Sequence, residues 1–269
     1  MNTCYRHPDR ETGVSCQRCD RYICPDCQTP GAVGFLCPED SKANSNIKQA
    51  TFQQGIFQRA PITIILIAIN LVVFAAQLFI PGVTDSLFYA NIGDLYEEGS
   101  LTRAFSSGFA HSTDQITHIL FNMYSLFILG TVLEPLFGKL KFSIMYVFGI
   151  FGGTLGVLLL APFGTGVVGA SGAIFALMGA YLVTMLALKQ DAQQIFIIIA
   201  INLGLSFLPG IAWEAHIGGL VVGVIIAGTY VMFRRATQRT VLYLTLVGLA
   251  VILGGVWVYG NGALPPITL

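Results

Sequence analysis

The sequence predicts an all-α polytopic membrane protein with a small cysteine-rich unit ahead of its first span. Three observations carry that prediction. Charged residues make up 10% of the 269-residue chain, against roughly 25% in soluble domains, and mean hydropathy is +0.71. Apolar runs recur from about residue 62 onward, most of them near the ~20 residues that a helix needs to cross a bilayer. All six cysteines lie between Cys4 and Cys37, before the first of these runs. Lys plus Arg and Asp plus Glu both number 14, so the net charge is zero and nothing points to nucleic acid. The polar N-terminal stretch does not read as a secretory signal.

The cysteine-rich unit covers residues 1–42. Cys4 and His7 form a CxxH pair, Cys16 with Cys19 and Cys24 with Cys27 form two CxxC pairs, and Cys37 with Asp40 forms a CxxD pair. A two-residue gap lets one tight turn deliver two ligands to a tetrahedral ion. Eight ligands in four pairs imply two zinc ions. The spacing suits interleaving, with Cys4, His7, Cys24 and Cys27 on one ion and Cys16, Cys19, Cys37 and Asp40 on the other. Four protein ligands per ion leave no open position, so both zincs are expected to be structural. The unit resembles a B-box-type zinc finger. So short a segment buries little apolar surface, and metal is expected to supply its folding free energy. Paired cysteines of this kind suit a reducing compartment. A recruiting role is expected for the unit, toward a cytoplasmic protein partner or a substrate's cytoplasmic tail.

Residues 43–60 read as a polar linker. Seven spans follow at about 62–80, 116–134, 142–160, 169–188, 194–208, 213–233 and 241–259. The fifth is short. The connection at 81–115 is long and mixed in polarity, as in Leu87-Phe88-Tyr89, and is expected to lie in the outer interface. Lys139 and Lys141, Lys189, and Arg234, Arg235 and Arg239 fall in alternate connections, and Lys42, Lys48 and Arg59 precede the first span. The positive-inside rule then puts the N-terminus and the zinc unit in the cytoplasm and the C-terminus outside.

Four polar residues share one depth under that topology. His118 and Asn122 lie in the first two turns of span two, Ser171 in the first turn of span four, and His216 in the first turn of span six. All three spans enter from the outer face, so these side chains sit a few ångströms below it. Polar groups in lipid are costly and are expected to face the bundle interior, where function is the default hypothesis. His118 and Asn122, four apart, stack on one helix face. Gly172, Gly218 and Gly219 permit close helix approach, and Gly219 with Gly223 forms a GxxxG pair. Ser171 can then meet His216, a neutral imidazole able to serve as its base. Glu214, two residues from His216, points elsewhere on the helix, so a dyad is expected rather than a triad. Asn122, His118 and the Ser171 N–H are candidate oxyanion donors.

Gly169-Ala-Ser171-Gly-Ala173, His118-Ile-Leu-Phe-Asn122-Met123 and Ala215-His216-Ile-Gly-Gly219 resemble the three signatures of the rhomboid intramembrane serine proteases, over about residues 60–235. The resemblance implies a six-helix rhomboid core at 61–235, with residues 236–269 adding a seventh transmembrane helix and a tail. It implies Ser171 as nucleophile, His216 as general base, His118 and Asn122 as oxyanion donors, and cleavage of single- or multi-span membrane proteins within the lipid bilayer. No catalytic cofactor is implied. Phe175 matches an aromatic that packs on the catalytic histidine. Thr102-Arg103 matches a Trp-Arg pair of the first loop with Thr in place of Trp, and Glu134 and Gly138 match an acid and a glycine at the inner end of span two. His111 matches an earlier histidine, but its distance to His118 is two residues longer than the common spacing.

The resemblance also implies a place in the plasma membrane of a bacterium, with the active site opening to the outer face. The alternative on the same scaffold is a catalytically silent membrane chaperone or adaptor, which predicts loss of Ser171 or His216, and both are present. A small-solute transporter would favour inverted repeats and broken helices near the midplane, but no convincing repeat is visible and the polar cluster lies near one surface.

Overall fold

The structure is a computed structural model and describes residues 2–30, 34–43, 56–91, 100–233 and 236–263. Lys48, Arg234, Arg235 and most of the expected linker lie outside the described residues. The chain divides into two compact units, Met1–Gly55 and Ile56–Leu269.

The first unit has little regular structure. Thr3 bridges Glu11 and Ser15 bridges Tyr22. A 3-10 turn at Pro25–Cys27 leads into strand β1 (Thr29–Pro30), which pairs antiparallel with β2 (Phe35–Leu36), and helix α1 (Pro38–Ala43) follows. Its core consists of five buried cysteines and Ile23, with Tyr5, Val14 and Leu36 packed around them. One isoleucine and a few half-buried neighbours supply far too little burial to offset the backbone entropy of some forty ordered residues.

The second unit is helical. Helix α2 (Ile56–Arg59) precedes α3 (Pro61–Phe79), whose first residue is the proline that a helix start tolerates. Helices α4 (Val83–Leu87) and α5 (Ser100–Ser106), with strand β3 (Tyr89–Ala90) between them, form the described part of the long first connection. Then come α6 (Ile116–Phe137), α7 (Lys139–Leu160), strand β4 (Gly166–Val167), α8 (Ser171–Ala187), α9 (Gln193–Leu205), α10 (Trp213–Met232) and α11 (Arg239–Ala263). Helices α3, α6, α7, α10 and α11 are long and apolar enough to cross a membrane, whereas α8 and α9 are shorter. Large apolar side chains such as Val72, Phe121, Tyr124, Phe196, Leu244 and Val251 are exposed on the outside of the bundle. Such surface is stable only against lipid, so the chain is a multi-pass integral membrane protein.

In lipid, burying an apolar side chain brings little hydrophobic gain, so helices associate through close contact. The centre of the bundle is built that way. A Cβ added to Gly219 of α10 would stand 2.0 Å from the Gly172 carbonyl oxygen of α8, and one on Gly223 would stand 2.1 Å from that of Ala176. On the other side, a Cβ on Gly218 would lie 2.2 Å from the Gly152 carbonyl of α7. Helices α7, α8 and α10 therefore touch backbone to backbone.

At the opposite end of α6, Glu134 is 1% exposed. Its two carboxylate oxygens accept the N–H groups of Ile62 (2.9 Å) and Thr63 (2.8 Å), and the Thr63 hydroxyl adds a third bond (2.8 Å). The carboxylate thus caps the start of α3, where unpaired N–H groups and the helix dipole favour an anion. Gly138 makes the turn from α6 to α7 with φ of 81°, a conformation that suits glycine.

Span four starts two residues later than the sequence suggests. Gly169 has φ of 131° and Ala170 is the N-cap, so the chain turns sharply and Ser171 becomes the first helical residue. The approach to that turn is pinned twice. Strand β3 pairs antiparallel with β4, Tyr89 opposite Val167, and the Gly169 N–H donates to the Ser107 carbonyl at 2.9 Å.

Candidate active site and candidate metal centres

Ser171 opens α8, and the first N–H groups of a helix have no intrahelical partner. Its backbone N–H is therefore free to bind an anion there. Phe175, one turn later, stacks on the His216 ring of α10 with centroids 4.2 Å apart and planes 14° from parallel. The glycine contact between α8 and α10 is what brings these two rings to stacking distance. His216 is 8% exposed, so its face is sealed by the phenylalanine rather than by water. Among the described residues no hydrogen bond joins Ser171 Oγ to His216.

His118 comes in from α6. A Cβ built on Gly169 would lie 2.9 Å from His118 Nε2 and 3.7 Å from Ser171 Oγ. The His118 ring thus packs against Gly169 where a side chain would stand, and Ser171 Oγ lies beside the same position. The Ser112 N–H donates to His118 Nδ1 at 3.3 Å. That bond makes Nδ1 the acceptor and puts the proton on Nε2, the nitrogen that abuts Gly169. Asn122, one turn below, donates from Nδ2 to the His118 carbonyl at 2.8 Å, and its buried Oδ1 has no partner among the described residues. The amide nitrogen keeps a second hydrogen for another acceptor.

His111 is fully buried, with its ring centroid 5.2 Å from that of His118. Its backbone is clamped by Gln77 of α3: the His111 N–H donates to Oε1 and Nε2 donates to the His111 carbonyl, both at 2.9 Å. Thr102 and Arg103 lie on α5. Glu214 is buried in the first turn of α10 and makes no hydrogen bond to His216 among the described residues.

Two further residues touch the residues of this site without any signal in a motif. Gln77 is one, a polar side chain 9% exposed in an apolar helix. The other is Ser206, the C-cap of α9, whose Oγ lies 2.5 Å from His216 Nδ1. A lone hydroxyl at the end of span five, ten residues before the histidine, could have drawn notice only by its depth.

The family model of the Rhomboid domain matches residues 98–234, the segment that carries all four polar residues. The chain belongs to the rhomboid family. Among its relatives, RHOMBOID-like protein 5 of Arabidopsis thaliana is 36% identical over 137 residues, covering 48% of this chain and 44% of the relative. Rhomboid protease GluP of Bacillus subtilis is 30% identical over 184 residues, covering 65% and 35%. Rhomboid protease GlpG of Haemophilus influenzae is 30% identical over 179 residues, covering 62% and 90%. The chain therefore spans less than half the length of the first two. The rhomboid match begins well after the cysteine-rich unit, which stands outside it.

In that unit the eight expected ligands form the two expected sets, Cys4, His7, Cys24 and Cys27, and Cys16, Cys19, Cys37 and Asp40. In the first, His7 Nδ1 lies 3.8, 3.3 and 3.4 Å from the sulfurs of Cys4, Cys24 and Cys27. In the second, Asp40 Oδ2 lies 3.3 Å from Cys16 Sγ and 3.2 Å from Cys37 Sγ, and Cys19 Sγ lies 3.8 Å from Cys37 Sγ. The edges of a tetrahedron with zinc–ligand bonds of about 2.0–2.3 Å are about 3.3–3.8 Å long, close to these separations, so both sets suit a zinc-sized ion. Their protonation fits a cation too. Burial pushes the Cys4 thiol up, but backbone hydrogen bonds from Cys24 and Arg6 outweigh it and bring the thiol down to about 6. Cys27 moves the other way, to about 11, through burial and the crowding thiols of Cys4 and Cys24. Such a set cannot shed all its protons at neutral pH unless a cation replaces them. Arg21, which no ligand motif signals, donates to Cys19 Sγ at 3.1 Å and to Cys37 Sγ at 3.5 Å. With a divalent ion bound, it would offset the negative charge that three thiolates and a carboxylate keep.

Proposed function

We propose that this chain is an intramembrane serine endopeptidase that cleaves transmembrane segments of other membrane proteins through a Ser171–His216 dyad. The observation that supports this reading most is that the His216 ring is stacked on Phe175, one turn after Ser171, while His118 Nε2 and Ser171 Oγ both lie beside Gly169.

The chemistry follows from those positions. An intact helix hides its carbonyl carbons, so a substrate must unwind locally, near small or helix-breaking residues. Ser171 Oγ attacks the exposed carbonyl carbon as His216 Nε2 takes the hydroxyl proton. The carbonyl oxygen becomes an oxyanion and accepts from His118 Nε2–H, the free Asn122 amide hydrogen and the Ser171 N–H. His216 gives its proton to the leaving nitrogen, the C–N bond breaks, and an ester to Ser171 remains. A water from the outer face, deprotonated by His216, hydrolyses that ester and restores the serine.

The same reading puts the N-terminus in the cytoplasm and the site toward the outer face, on the distribution of Lys and Arg among the connections; a bacterial plasma membrane rests on the family resemblance alone. The two donor sets of the first unit would each hold one zinc ion, which would supply cross-links and no catalysis.

The test is cleavage, in detergent and in liposomes, of a tagged single-span protein with small residues near its outer boundary. Wild type should cleave it and react with a fluorophosphonate at Ser171. Ser171→Ala and His216→Ala should do neither. Full cleavage by Ser171→Ala would refute the assignment. Absence of both cleavage and labelling in the folded wild type would favour the silent scaffold.

A further inference from the structure

The His216 ring has two nitrogens, and only one can face Ser171. The other, Nδ1, lies 2.5 Å from Ser206 Oγ. Ser206 is 1% exposed, so no water competes for this contact. The same hydroxyl lies 2.6 Å from the Asn202 carbonyl, one turn back in α9.

A serine hydroxyl has one hydrogen and two lone pairs. A carbonyl oxygen can only accept, so at 2.6 Å the hydrogen must point at Asn202. Ser206 Oγ is then left with lone pairs toward His216, and the 2.5 Å contact is a hydrogen bond only if Nδ1 carries the hydrogen. The proton of the neutral imidazole is thereby placed on Nδ1, and Nε2 is left with its lone pair. That is the form a base needs. The ring is held in two complementary ways. Stacking on Phe175 fixes its plane, and the bond to Ser206 fixes its rotation within that plane.

The hydroxyl is not needed to end the helix. The Ser206 N–H already donates to the Asn202 and Leu203 carbonyls, at 3.0 and 3.1 Å. Among the described residues the ring of His216 makes no other hydrogen bond. A carboxylate in this position would orient the ring more firmly, but it would carry a charge into a buried site at the level of the bilayer, which is costly. A neutral hydroxyl orients the base without that charge.

We infer that Ser206 is a positioning residue that holds His216 with its proton on Nδ1, so that Nε2 faces Ser171 as the base; this rests on the protease reading above. The experiment has two arms. In the first, the His216 tautomer is read from ring 15N chemical shifts in full-length Ser171→Ala protein, a measurement that needs no activity. The Nδ1–H form should dominate with Ser206 present, and Ser206→Ala should raise the Nε2–H form several-fold. Dominance of Nε2–H with Ser206 intact would overturn the inference. In the second arm, the Ser206 variants are assayed in the otherwise wild-type protein. Loss of one neutral hydrogen bond is worth about three- to tenfold, so Ser206→Ala should lose about that much in kcat with KM unchanged. Ser206→Thr, which keeps the hydroxyl, should restore most of it. Equal kcat in Ser206→Ala and wild type, with Ser171→Ala inactive, would sink the role of Ser206 and leave the protease standing. Inactive wild type with the Nδ1–H form dominant would instead remove the protease reading and keep the pair.

Discussion

Single residues decide where charge can sit in this bundle, and Glu134 is the clearest case. Its carboxylate meets two backbone N–H groups and a hydroxyl at 2.8–2.9 Å. A carboxylate is all acceptor, whereas an amide of the same shape presents an NH2 to one of those donors. Glu134→Gln should therefore leave at least one buried N–H of α3 unsatisfied, at a cost of about 1–3 kcal/mol. Thermal melting in detergent should show a lower midpoint, and an unchanged midpoint would mean that the cap is dispensable. The sequence marks Glu134 as an acid within a span but does not say what it holds, because Ile62 and Thr63 lie some seventy residues away. The same distance problem hides Gln77 and Ser206. Ser171, His118, Asn122 and His216 are legible because each is a polar residue in an apolar helix at a shared depth, and helix geometry alone gives that depth. Ser206 meets His216 only through the path of the connection at 207–212, which no periodicity describes. The His118 tautomer depends likewise on one backbone N–H, that of Ser112.

Among the helices, the contact of α8 with α10 governs the site. Gly219 lies three residues after His216, on the same face of α10, and rests against the carbonyl of Gly172, the neighbour of Ser171. The GxxxG spacing announces a close approach. It does not name the partner, which is α8 through Gly219 and Gly223 and α7 through Gly218. A methyl group at Gly219 cannot fit against a carbonyl 2.0 Å away, so the helices must part. Overpacking of this kind costs about 1–3 kcal/mol, and a displacement near 1 Å at reacting groups can cost about 10²-fold in rate. Gly219→Ala should thus lower kcat far more than it lowers the melting midpoint. Gly228, on the same helix, has nothing within 4 Å of an added Cβ, and Gly228→Ala should leave both quantities near wild type. Equal turnover in the two variants, measured on one substrate, would show that the contact does not set the geometry of the dyad. The lengths of α8 and α9 belong to this scale as well. Hydropathy extends span four back to residue 169, but the left-handed turn at Gly169 starts the helix at Ser171, and that turn is what brings the serine to the helix start.

At the scale of the whole chain, two units are stabilised by different physics. The membrane unit closes through glycine contacts and a capped helix. The first unit has a core of cysteines around Ile23, and its eight donor atoms form two sets, each of which fits one zinc ion. Full-length protein should accordingly bind two zinc ions per chain by atomic emission. Cys37→Ala should reduce that to one, because Cys37 serves only the second set. Asp40→Ala should weaken the second site rather than abolish it, since three thiolates and a water can still complete a tetrahedron. Protons compete with zinc for thiolates, so occupancy of both sites should fall as pH drops below neutral, with ions released in step. A strong chelator should then expose residues 2–43 to limited proteolysis while the melting midpoint of the membrane unit stays where it was. Persistent protection of that segment after both ions are gone would mean that its few apolar side chains fold it unaided, against the entropy of a chain with so small a core.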